Sequence, residues 1–243
     1  MIDFQLRMVE KINTNNFQSN VVFASCKPWH KPLFDSLKKK INLNWMYAST
    51  PNDLNGAIDT MDPKYIFFLH WNWLVPERIW KKHECVCFHM TDVPYGRGGS
   101  PLQNLILAGH KESKLTALRM VSEMDAGPVY TKRSLRLDGT AQEIYVRAGV
   151  LSAEIIEWMI EQQPVPVEQM GEVVMFKRRK PEQSVLPESG TLSSAYDFIR
   201  MLDADGYPHA FLEHGDYMLN FSRARFENGR LVAEVEIKIR NFT

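Results

Sequence analysis

Asn20-Val21-Val22-Phe23-Ala24-Ser25, followed at once by Cys26-Lys27-Pro28-Trp29, is the stretch whose reading decides the fold. A short uncharged run rich in β-branched and aromatic side chains describes a buried strand. Pro28 then opens a helix that carries Leu33, Phe34 and Leu37. The same alternation continues outward along the chain. Asn44-Trp45-Met46-Tyr47-Ala48 reads as a second strand, and Thr50-Pro51 with Asp53, Leu54, Ala57 and Ile58 as a capped helix start with Pro at its first position. Tyr65-Ile66-Phe67-Phe68-Leu69 is a third strand, and Cys85-Val86-Cys87-Phe88-His89 a fourth. Strands spaced by helices predict parallel pairing in a doubly wound α/β sheet.

Further along, the pattern predicts a helix from Ser100 to Ala108, a strand from Leu115 to Val121 and a long helix from Ala141 to Gln163, ended by Pro164 and Pro166. The tail changes character. Lys177-Arg178-Arg179-Lys180-Pro181-Glu182 reads as a linker or hairpin, and Ser194 to Leu202 as a short helix. Tyr217 to Ile239 holds two or three strands, with Asn228-Gly229 as a hairpin turn. The chain is therefore expected to hold an α/β domain over residues 1–175 and a small α+β appendage over 176–243. Phe4, Met8 and Ile12 suggest an amphipathic helix at the start.

Lys+Arg and Asp+Glu balance at 29 each, so no global field favours nucleic acid or an anionic membrane. From Pro164 to Thr243 ten basic residues face twelve acidic ones. An appendage that grips tRNA is expected to be basic, so no nucleic-acid partner is expected here. Three cysteines, Cys26, Cys85 and Cys87, give no disulfide framework and no zinc-ligand spacing, which points to a reducing cytoplasm and no metal. Met1-Ile2-Asp3 does not open a charged-then-apolar signal pattern and no apolar run reaches membrane length, so neither secretion nor a membrane span is expected.

In an open α/β sheet ligands gather where strands end. His89 leaves the fourth strand, on the face shared with Cys85 and Cys87. After it comes Thr91-Asp92-Val93-Pro94-Tyr95-Gly96-Arg97-Gly98-Gly99-Ser100-Pro101, a turn that lets backbone approach a ligand and aims N–H groups at anionic oxygens. Met124-Asp125-Ala126-Gly127 follows a later strand. No G-x-G-x-x-G follows the first strand, which disfavours a nicotinamide-dependent oxidoreductase.

His89, Pro94, Arg97-Gly98, Pro101, Ile106, Gly109, Thr116 and Asp125-x-Gly127 together resemble the folate-dependent formyltransferase family, without a gap and with the family's separation of 36 between His and Asp. The resemblance covers roughly Asn20 to Trp158. It implies a Rossmann-like catalytic domain and N10-formyl-tetrahydrofolate as formyl donor. It also implies His89 and Asp125 as catalytic residues. Trp73, Leu74, Val75, Val121, Ser122 and Met124 would hold the cofactor. One position departs: Cys87 stands where the family has an Asn that donates to the developing oxyanion. A thiol is a poor donor, and Thr91, Asn104 or N–H groups of the glycine turn are the candidate replacements.

The tail decides the acceptor. Tyr196 to Ala204 and Gly206-Tyr207-Pro208-His209-Ala210-Phe211 resemble the short appendage of bacterial sugar formyltransferases. The stretches Phe88 to Asp92 and Gly96 to Asn104 are similar to a branch acting on 4-amino-sugar nucleotides. The implied acceptor is a nucleotide-linked amino-deoxysugar, UDP-linked by preference, of surface-polysaccharide biosynthesis. Arg97, Gly98, Gly99, Ser100, Lys27, Trp29 and His30 would line its site. The alternatives are an aminoacyl-tRNA or glycinamide-ribonucleotide acceptor, a formyl-folate hydrolase, and a non-catalytic folate-binding member. Apolar residues of the tail and the N-terminal segment suit a homodimer.

Overall fold

The computed structural model describes residues 19–240; the expected helix around Phe4, Met8 and Ile12 lies outside them. In chain order the elements are β1 (Asn20–Ala24), α1 (Lys31–Lys40), β2 (Asn44–Ala48), α2 (Pro51–Met61), β3 (Tyr65–Phe68), α3 (Glu77–Trp80), β4 (Glu84–His89), β5 (Tyr95–Gly98) and α4 (Pro101–Leu107). Then follow β6 (Glu112–Arg119), β7 (Val129–Arg136), α5 (Ala141–Gln162), β8 (Val174–Phe176), α6 (Leu192–Arg200), β9 (Ala210–His214), β10 (Tyr217–Glu227) and β11 (Arg230–Ile239).

The central sheet runs β2-β1-β3-β4-β6-β7. Its first four strands are parallel, as the sequence predicts, whereas β6 and β7 join antiparallel. Side chains alternate between two apolar layers. Val21, Phe23, Tyr65, Phe67 and Val86 face α1 and α5, while Val22, Ala24, Ile66, Phe68 and Cys85 face α2 and α3. Burial on both faces explains why these strands read as unbroken apolar runs. Capping boxes start the two longest helices: Thr50 with Asp53 opens α2, and Thr140 with Glu143 opens α5.

Strands β5, β7, β8 and β9 escaped the sequence reading. Strand β7 is mostly half-buried or exposed, and so lacks an apolar signature. Strands β5 and β8 are short and pair with each other in parallel, so the division drawn at 175/176 falls inside β8. The tail forms the antiparallel sheet β11-β10-β9, with the Asn228-Gly229 turn in left-handed backbone at both positions. It shares the main core through Phe198, Ile199, Met201 and Leu202. Arg200, 3% exposed, fastens it by donating to the carbonyls of Leu137 and Gly139 while pairing with Asp197.

Candidate active site

Strand order reverses between β1 and β3, and a cleft of about 560 Å³ opens beyond the carboxyl ends of β3 and β4. That volume suits a cofactor-sized ligand. Trp73, Leu74 and Val75 from the loop after β3, and Val121, Ser122 and Met124 from the loop after β6, line it. Trp73, Leu74 and Met124 are 43%, 86% and 56% exposed. Large apolar side chains left open to water on opposite loops fit a flat aromatic ligand between them. Gly98, Gly99 and Ser100 also line the cleft.

His89 ends β4, with its side chain 9% exposed, and its Nδ1 lies 3.5 Å from Asp125 Oδ2. Its Nε2 lies 2.8 Å from the Gly96 carbonyl oxygen. Both ring nitrogens thus face oxygen acceptors. Asp125 also accepts from the Gly98 N–H at 3.0 Å, so the glycine turn fixes the carboxylate as the carboxylate orients the ring. Asp125 itself adopts left-handed backbone, φ 55°, a conformation uncommon for a non-glycine residue and concentrated at functional sites. The loop that forces it is tight: a Cβ at Gly127 would stand 1.8 Å from the Arg119 carbonyl oxygen.

The candidate oxyanion donors proposed to replace the family Asn are already engaged. The Thr91 hydroxyl donates to Gly96 O. The Asn104 amide donates to the carbonyls of Gly99, Ser100 and Lys177. The N–H groups of Gly98 and Gly99 go to Asp125 and Phe176. Neither Thr91 nor Asn104 lines the cleft, so both shape the turn. Cys87 does line it, and burial, reinforced by the Asp125 charge, pushes its thiol far up from the usual range. His89 also lines the cleft, and its Nδ1, 3.5 Å from Asp125 Oδ2, is the least closely held of these nitrogen and hydroxyl donors.

On the acceptor side the sequence assignments divide. Lys27 and Trp29 do not themselves line the cleft; Lys27 lies 4.2 Å from the ring centroid of Tyr207, which does. Trp29 stacks on Tyr145, which stacks on Tyr207. His30, by contrast, is fully buried and bonded to Ser25 Oγ through Nδ1 at 2.7 Å, so it does not meet substrate. Burial and the Lys27 charge hold its pKa down to about 4. Arg97, 8% exposed, spends its guanidinium on Gln169 Oε1 and on Glu123 and does not line the cleft. The sequence reading missed His70, Tyr145, Tyr207, Gln103 and Arg178, all of which line it. His70 was the findable one, because it follows β3 directly, where strand-end residues matter. Burial, His30 and Lys27 hold its pKa down to about 3.

A family model described as the C-terminal domain of methionyl-tRNA formyltransferase matches residues 181–238. The solved structure of a methionyl-tRNA formyltransferase from Clostridium thermocellum is 42% identical, with a TM-score of 0.88 over 91% of this chain and all of that one. The chain belongs to the folate-dependent formyltransferase family. Methionyl-tRNA formyltransferase of Rickettsia massiliae is 25% identical over 73% of this chain and 60% of its own length, so this family member spans about three fifths of such relatives. HypX from Aquifex aeolicus, solved in complex with tetrahydrofolic acid, shares the fold at 19% identity, a TM-score of 0.69, and 85% and 38% coverage. The relatives with the greater identity carry methionyl-tRNA in their names, not the amino-sugar nucleotide expected from the tail. Among the described residues, no three His, Cys, Asp or Glu side chains gather to hold a metal, and no helix is long and apolar enough to cross a membrane.

Proposed function

We propose that this chain transfers the formyl group of N10-formyl-tetrahydrofolate to a primary amine. The observation that carries the reading is the His89–Asp125 pair, 3.5 Å apart in a cleft walled by apolar residues. The bound donor supplies an activated formyl carbon. Asp125 accepts a proton from the incoming ammonium, directly or through water, leaving a nucleophilic amine. His89 donates a hydrogen bond to the oxyanion formed on attack. As the adduct collapses and the C–N10 bond breaks, the ring passes a proton to the departing N10 and recovers one from the attacking nitrogen, which keeps a single amide N–H. A preorganised donor of this kind acts where charge develops. Three free thiols accord with a reducing, cytoplasmic setting.

The names of the relatives favour the α-amine of an aminoacyl-tRNA as acceptor. One feature of the fold favours the amino-sugar nucleotide instead. The appendage sheet pairs most of its cations internally: Arg223 with Glu234, Arg225 with Glu227, Lys238 with Glu236 and Arg240 with Glu213. Such a sheet offers little field to a polyanion, whereas Lys27 and Arg178 at Tyr207 suit a single diphosphate. The test is a screen in which N10-formyl-tetrahydrofolate is supplied with methionyl-tRNA, glycinamide ribonucleotide or UDP-linked 4-amino-sugars, and products are weighed for one added formyl group. Formylation of one acceptor supports the reading and identifies the amine. Formate release at equal rate without any acceptor marks a hydrolase and overturns it.

A further inference from the structure

Between α5 and β8 the chain crosses back over the Asp125 loop, and Gln169 is the residue that touches it. Its Nε2 donates to the carbonyl oxygens of Asp125 and Gly127, each at 2.8 Å. Its Oε1 accepts from Arg97 Nε at 3.1 Å and Nη2 at 2.9 Å. A backbone bridge between Val129 and Val167 anchors the crossing segment two residues earlier. The side chain therefore spans Asp125 and Gly127 on one side and the buried guanidinium of β5 on the other.

We infer that Gln169, held by Arg97, is a positioning residue that keeps Asp125 aimed at His89. This rests on the reading of Asp125 and His89 as the reacting pair. Asp125 sits in left-handed backbone, which relaxes toward commoner conformations unless the surroundings hold it. The Gly98 N–H grips only the carboxylate, and Gln169 grips the backbone on both sides of Ala126. An amide is the side chain that serves here, since it donates twice to carbonyls and accepts from a guanidinium at once. Arg97 neighbours Gly98, so one network ties both loops that meet at His89.

The test compares Gln169→Glu and Gln169→Ala with the native chain, using N10-formyl-tetrahydrofolate and either methionyl-tRNA or a UDP-linked 4-amino-sugar. Gln169→Glu keeps the volume and the Arg97 partner and removes both donors. Displacement of a reacting group by about 1 Å costs on the order of 10²-fold in rate. Both variants are expected to lose kcat by about that factor with KM for either substrate within about twofold. Arg97→Ala added to Gln169→Ala should cost nothing further, since the two act as one unit. Native kcat in Gln169→Glu, a loss carried by KM, or additive losses overturns the inference. An inactive Asp125→Ala beside a native Gln169→Glu sinks this inference alone, whereas native turnover in Asp125→Ala overturns the proposed function as well.

Discussion

Replacing Cys87 with asparagine is expected to raise the rate of formyl transfer. Cys87 ends one residue pair before His89 on the cleft side of β4, and its Sγ makes a single long contact, 3.8 Å, to the Leu118 carbonyl oxygen. Burial and Asp125 keep the thiol protonated, so it is neither nucleophile nor useful donor. An oxyanion donor is worth on the order of 10²–10³ in rate, roughly 3–4 kcal/mol. Fitting the larger amide beside Leu118 costs about 1–2 kcal/mol of fold stability, read by the melting curves, and an amide held off its best line recovers only part of that factor, a gain on the order of tenfold. Cys87→Ala removes a group without a role, and kcat should stay within about threefold of native. Single-turnover formylation at saturating donor, with melting curves as a control on the fold, measures both. A folded Cys87→Ala that loses far more than tenfold would show the thiol participating, and a folded Cys87→Asn with no gain would refute the argument that a donor is missing.

Three other outcomes follow from the packing. Because His30 has a pKa held near 4 in the native chain, the unfolded chain takes up protons below its ordinary 6.5 that the native chain refuses. His30 alone should therefore lower stability by on the order of 2 kcal/mol between pH 7 and 5, and His70 should add a similar drop. Urea unfolding at the two pH values should show a shallower drop in His30→Gln, and an equal drop would contradict the assignment. Gly127→Ala places a methyl against the Arg119 carbonyl, so the Asp125 loop must move, and activity should fall by about 10² or more. Native activity in that variant would show that the loop geometry is not needed. Arg200→Ala strips two buried carbonyls and Asp197 of their donor, which should cost about 3–5 kcal/mol by denaturant unfolding; a loss under 1 kcal/mol would contradict its fastening role.

The parallel half of the sheet was legible because β1 to β4 are buried on both faces, which leaves runs such as Tyr65-Ile66-Phe67-Phe68 unmistakable. The starts of α2 and α5 were legible for a local reason, since Thr50 and Thr140 cap helices within three residues. Strand β7 was hidden by its polar, partly exposed side chains. The β5–β8 pairing was hidden because it joins segments nearly eighty positions apart. The same split runs through the site. His89, Asp125 and the apolar cleft walls follow from strand ends and motif spacing, but the fate of each donor does not. Thr91, Asn104 and Arg97 carry the right chemistry at the right place in the chain, and the fold spends them on Gly96, on backbone carbonyls and on Gln169. Hydrogen-bond partners brought from distant segments leave no mark in local sequence.

The most direct test of the central claim is the single-turnover rate of formyl transfer in His89→Ala and Asp125→Ala, measured beside the equilibrium binding of tetrahydrofolate. Both variants should bind folate as the native chain does, because the walls at Trp73, Leu74 and Met124 are untouched, while transfer falls by at least about 10³. Folded variants that bind folate and still transfer formyl within tenfold of the native rate would contradict the claim that this histidine and this aspartate perform the chemistry.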